Sequence, residues 1–139
     1  MGTRSITTII DHQFGKDTKN AKICTMYRQY DGYPSGHGRE LHAFLSDLAL
    51  CNGLGGKPPK GKIWANGAGC LAAQMIAYFK SQPGGIYMTA PRTKLDGEDY
   101  GYEVTFNEGM TLTVVVRSYT RKIFEGSLEA FGVFCNKED

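Results

Sequence analysis

Residues 68–80 are apolar on almost every side. Leu71, Ala72, Ala73, Met75, Ile76, Ala77, Tyr78 and Phe79 are interrupted only by Gln74. A helix of that composition has little face to offer to water, so it belongs at the centre of a fold or against another subunit. The chain has 139 residues, enough for one domain, whereas halves of it would be too small to hold stable cores. Few elements are left to cover such a helix, and we therefore expect a homo-oligomer that uses residues 68–80.

The remaining elements follow from periodicity. Residues 5–11 are rich in Ile and Thr and read as a strand. A polar turn over residues 15–20 joins it to a second strand at residues 21–30, forming an antiparallel hairpin. A helix is predicted from Arg39 to about Leu50, because Leu41, Phe44, Leu45 and Leu48 recur at helical spacing. Residues 54–67 read as a long loop carrying Lys57, Lys60 and Lys62. After the apolar helix come strands at residues 86–90, 100–107 and 111–119, with a short further one at 122–125. Ser127 then caps a last helix that packs Leu128, Phe131, Phe134 and Cys135 inward. The expected fold is α+β, an antiparallel sheet with helices packed on one face, in the order ββααβββ(β)α.

Bulk properties limit the function classes. A net charge of +2 excludes a strongly basic arm for extended nucleic acid, though not a local basic pocket. No apolar run approaches the roughly 20 residues of a membrane helix, and residues 1–10 lack a signal-peptide pattern, so the expected location is cytoplasmic with no membrane partner. Cys24, Cys51, Cys70 and Cys135 are far apart, form no Cys-x-x-Cys pair and read as buried free thiols.

Glycine accounts for 18 residues and is clustered, which implies tight loops of defined geometry. One such loop carries the strongest candidate site. Between Tyr27 and Arg39 lie Arg28, Tyr30, Tyr33, Ser35 and His37, around a glycine-rich turn that leads into a helix. Free N–H groups at a helix start, with arginines beside them, suit a phosphate, and tyrosine rings offer flat surfaces to a base. The bland alternative is a rigid turn with the tyrosines in the core.

A second candidate is the turn from Trp64 to Gly69, where Asn66 is the expected helix cap and the three upstream lysines supply positive charge. It lacks the order of a phosphate-binding P-loop. Gln74, the polar residue within the apolar helix, would bond a base edge or a neighbouring backbone group. No residues are predicted to be catalytic, to ligate a metal or to hold a cofactor. His12, His37 and His42 have no metal-ligand spacing, and Ser35 and His37 are too close in sequence for a nucleophile–base pair.

The string Met26-Tyr-Arg-Gln-Tyr-Asp-Gly-Tyr-Pro-Ser-Gly-His-Gly38 is distinctive. With the opening Met-Gly-Thr-Arg-Ser and the later Ala65-Asn-Gly-Ala-Gly-Cys-Leu-Ala-Ala-Gln74, it resembles a family of small bacteriophage and bacterial proteins. The resemblance spans nearly the whole chain and carries over no functional residue. A phage setting implies an anti-defence role, in which the protein sequesters a cyclic nucleotide immune signal without cleaving it. The expectation is thus non-enzymatic binding of a small phosphate-bearing ligand. The alternatives are a nucleotide-acting enzyme with His37 as acid or base, and a protein-binding inhibitor or structural phage module.

Overall fold

The computed structural model describes residues 2–15 and 21–137. Its chain order is β1 (Ser5–His12), β2 (Lys22–Arg28), a π-helical turn (Pro34–Gly38), α1 (Arg39–Ser46), β3 (Leu48–Cys51), β4 (Ile63–Asn66), α2 (Gly67–Phe79), β5 (Ile86–Thr89), β6 (Tyr100–Asn107), β7 (Leu112–Ser118), β8 (Arg121–Ser127) and α3 (Leu128–Lys137). The polar turn predicted after the first strand falls largely on residues 16–20, outside the described residues.

Six strands form a mixed sheet in the order β5-β2-β1-β6-β7-β8, giving an α+β fold. All its pairings are antiparallel as predicted except the central one, in which β1 and β6 run parallel with Ser5 opposite Tyr100. The exception has a geometric cause. The loop after β5 recrosses the sheet before β6 begins, so β6 enters at the same end as β1. Along the way the Arg92 carbonyl accepts from Thr25 Oγ1 at 3.0 Å, and the Arg92 N–H donates to the same hydroxyl at 2.9 Å. That crossing buries Ile6, Thr8 and Ile10 on the back of the sheet, while Thr7 and Ile9 face the helices. Burial on both sides is why residues 5–10 show no alternation in polarity.

The helices cover one face. Leu71, Ala72 and Met75 of α2 pack with Leu41, Phe44 and Leu45 of α1 and with Phe131 of α3 over Ile9, Met26, Tyr102, Val104 and Val116. The apolar helix is therefore central, although Ala73, Ala77 and Tyr78 remain exposed. Gly38 is where the π-helical turn meets α3. A Cβ there would lie 2.7 Å from Cys135 Sγ, so only glycine admits the contact.

Two predicted boundaries shift. The helix from Arg39 ends at Ser46, and Leu48–Cys51 becomes a strand paired in parallel with Ile63–Asn66, inside the stretch read as loop. Leu48 satisfies both the helical period and a half-buried strand, and only the distant partner decides between them. The Ser127 hydroxyl accepts from the Ala130 N–H at 3.2 Å, capping α3 as predicted. All four cysteines are free thiols; Cys135 is buried, but Cys24, Cys51 and Cys70 are only partly so.

Candidate functional site

The sheet gathers the tyrosine-rich string at one of its ends. Strand register places Arg28 opposite Ser5, Ser5 opposite Tyr100, and Tyr100 opposite Ser118. Clefts open there on both sides of Tyr30, whose ring is half exposed. The larger, about 580 Å³, is walled by Gly2, Thr3, Arg4, Tyr27, Gln29, Tyr30 and Asp99. The smaller, about 190 Å³, lies towards α1 and the loop before β5, with Arg28, Tyr30, Glu40, Phe79 and Gln82 among its walls. A further cleft of about 270 Å³ is lined by Tyr33, Pro34, Tyr100, Ser118, Tyr119, Arg121 and Ile123.

Arg28 is fixed by three contacts. Its Nε donates to the Tyr30 carbonyl at 2.6 Å, and its Nη1 lies 3.1 Å from His37 Nδ1 and 2.7 Å from Glu40 Oε2. Arginine has no acceptor, so Nδ1 accepts and carries no proton. Nε2 then bears the hydrogen and donates to Thr7 Oγ1 at 2.7 Å. The ring is 0% exposed, between Phe79 and Tyr102 with ring centroids 5.0 Å away on each side. Burial, and next the Arg28 charge, push the His37 pKa down to about 3.

This corrects the reading of His37 as a loop residue available to a ligand. The ring is fully buried and both its nitrogens are bonded within the fold, so it is not an exposed loop side chain. Much of the helix start is likewise engaged within the chain. Gly36 N–H donates to the Tyr33 carbonyl at 2.9 Å, His37 N–H to Asp31 at 2.8 Å and Gly38 N–H to Tyr33 at 3.4 Å. Three amides of the π-helical turn are thus engaged within the turn itself.

Of the predicted residues, Tyr27, Arg28, Tyr30 and Tyr33 reach the clefts. Tyr33 donates its hydroxyl to Asp31 Oδ1 at 3.1 Å; that bond and the Asp31 charge raise the Tyr33 pKa. Ser35 is partly buried in the turn and Arg39 is exposed at the start of α1; neither lines these clefts. Asn66 and Gln74 belong to a different region. Asn66 makes no side-chain cap on α2, because its Oδ1 accepts from the Gly53 N–H at 2.7 Å. Gln74 Nε2 donates to the Trp64 carbonyl at 3.0 Å, a neighbouring backbone group.

Arg4, Gln29, Asp99, Tyr100, Tyr119 and Arg121 escaped the sequence reading. They come from four separate stretches, and only strand register unites them. Among the described residues no group of His, Cys, Asp and Glu side chains is placed to hold a metal ion. No described helix is long and apolar enough to cross a membrane. Comparisons of the chain with protein families, curated proteins and solved structures find no match.

Proposed function

We propose that the chain binds a small phosphate-bearing molecule in the cleft between Tyr27, Tyr30 and Arg4. The observation behind this reading is the composition of that 580 Å³ cleft, two tyrosines with an arginine, a glutamine amide and a carboxylate. Flat rings receive a base, the guanidinium meets an anion, and Gln29 and Asp99 supply donors and acceptors for a sugar. The Arg4 backbone N–H donates to Asp99 Oδ2 at 2.9 Å, and its guanidinium is positioned by Nη2, which donates to the Gly97 carbonyl.

The finer reading is sequestration of a cyclic nucleotide signal as a phage anti-defence function, on the resemblance described above. Sequestration requires that the ligand leave unchanged. Heating the loaded protein and analysing the released ligand by mass spectrometry separates the readings, because intact ligand means binding and altered ligand means turnover. A thermal-shift panel of inorganic phosphate, nucleoside monophosphates and cyclic nucleotides identifies the class, since a ligand of the native state raises Tm by mass action. Arg4→Ala should weaken the ligand roughly ten- to a hundredfold. No shift with any panel member would sink the reading.

The exposed side of α2, with Ala73, Ala77 and Tyr78, is the surface on which a second copy would pack. Sedimentation velocity at micromolar concentration checks this part, and a monomer removes it.

A further inference from the structure

We propose that the cleft between Tyr33, Tyr100 and Tyr119 is a second ligand site, which takes a nucleobase on its rings and the attached phosphate on Arg121. It keeps the ligand class proposed above and shares no residue with the Tyr27 cleft.

The two clefts belong to opposite faces of the sheet. Tyr27 pairs with Ile6 on the back, whereas Tyr100 pairs with Ser5 on the helix side. From Tyr100 a row of side chains continues across the strands, to Ser118 of β7 and then to Arg121 of β8. Tyr33 and Pro34, where the helical layer begins, wall this row together with Tyr119 and Ile123 and enclose about 270 Å³.

Arg121 reaches this face only through a bulge. Phe124, three residues further on, packs against Phe131 on the helix side. Residues three apart on a regular strand point to opposite faces. The ladder slips between Val116 and Arg117, so that Val116 stands opposite Phe124 and Ser118 opposite Arg121. The extra residue in β8 turns Arg121 to the side of Phe124 and so into the cleft wall. There its guanidinium has neither an ion pair nor a hydrogen-bond partner among the described residues. The arginines of the other two clefts are committed, Arg28 to three groups and Arg4 Nη2 to the Gly97 carbonyl. A free planar fork of donors matches a phosphate.

Tyr119 is held against its own preference. It is the first residue of the two-residue loop between β7 and β8, with φ +57°, where such loops favour glycine or asparagine. A tyrosine there is strained. Its ring nevertheless is 73% exposed and pairs with no other ring among the described residues. Strain that packing does not repay is concentrated at ligand sites. The second ring of the wall is fixed, since the Tyr33 hydroxyl donates to Asp31 Oδ1 at 3.1 Å. Exposed rings of this kind stack on a base.

Titrating adenosine monophosphate into the ¹⁵N-labelled Arg4→Ala chain tests the proposal with the Tyr27 cleft disabled. The Tyr119, Thr120 and Arg121 amides should shift together and saturate. Adenosine and inorganic phosphate, given separately, should each bind more weakly than the nucleotide. Adding Arg121→Ala should weaken the nucleotide roughly tenfold or more, and adding Tyr119→Asn roughly five- to a hundredfold. Asparagine accepts the left-handed backbone, so Tyr119→Asn should leave Tm unchanged or higher, which a packing role for the ring would not allow. Hairpin shifts that never saturate or that survive both substitutions, phosphate binding as tightly as the nucleotide, or a Tm lowered by Tyr119→Asn would overturn it. In the wild type, a ligand confined to the first cleft would shift the Tyr27 and Gln29 amides and leave the hairpin still, so the two sites fail separately.

Discussion

Arg28 Nη1 lies 3.1 Å from His37 Nδ1 and 2.7 Å from Glu40 Oε2, so one guanidinium nitrogen links a buried neutral ring to a carboxylate near the surface. The link fixes the His37 tautomer and explains why Arg28, although in a ligand-rich string, is mainly committed to the protein itself. Its outer side still forms part of a cleft wall.

The buried ring makes stability depend on pH. A histidine near 6.5 in the open chain and about 3 in the fold takes up its proton only on unfolding. The stabilisation is complete above pH 6.5 and is lost as pH falls towards 3. At pH 5 the loss should be roughly 2 kcal/mol. Urea unfolding at pH 7.5, 6 and 5, compared between the wild type and His37→Leu, measures it, and the variant should lose the slope between about pH 6.5 and 5.

Arg28→Met keeps the apolar stem and removes the donors to His37 Nδ1 and the Tyr30 carbonyl. The expected cost is about 2–3 kcal/mol by chemical denaturation, the scale of leaving buried acceptors unpaired. Glu40, 51% exposed at its side chain, should matter little, with Glu40→Ala changing stability by under about 1 kcal/mol. Equal costs for both variants would contradict this assignment of the network.

On the back of the sheet Glu98 is nearly buried and grips Arg92 with both oxygens, at 3.0 and 2.8 Å, while accepting from the Asp96 N–H at 2.8 Å. Burial alone would raise its pKa, but these donors prevail and hold it below the usual carboxylate value. Its contribution is present above that usual value and fades as pH falls through the lowered one. Glu98→Gln should cost about 1.5–3 kcal/mol and speed hydrogen exchange at the Arg92 amide.

Gly38→Ala brings a methyl to 2.7 Å from the buried Cys135 thiol. Overpacking of this kind costs about 1–3 kcal/mol. Cys135→Ala in the same chain should recover part of the loss, which a comparison of the two melting temperatures would show.

The elements legible in the sequence included the β-branched β1, the strands β6 and β7, α2 with its nearly all-round apolar surface, and the capped α3. Leu48–Cys51 was read as helix because Leu48 fits both periods, and its partner strand comes only after a loop of turn formers. The parallel alignment of β6 was invisible, since nothing in residues 90–99 announces that they recross the sheet. Composition singled out the string from Tyr27 to Arg39, but not how the fold disposes its side chains. Tyr27, Tyr30 and Tyr33 reach the clefts, but His37 between two glycines looked exposed when Phe79 and Tyr102, both distant in sequence, enclose it. Arg4 and Arg121 carry no local signal, because only the register brings them to the same end.

The parallel pair at the sheet's centre also sets a schedule. The Arg4 N–H and the Asp99 carboxylate that close this end are 95 residues apart. At translation rates of about 5–20 residues per second, β1 waits roughly 5–20 s on the ribosome before β6 can be synthesised. Throughout that interval an Ile- and Thr-rich strand has one hydrogen-bonding edge open. Vulnerability to aggregation is thereby concentrated during synthesis, before the finished sheet encloses β1 between β2 and β6.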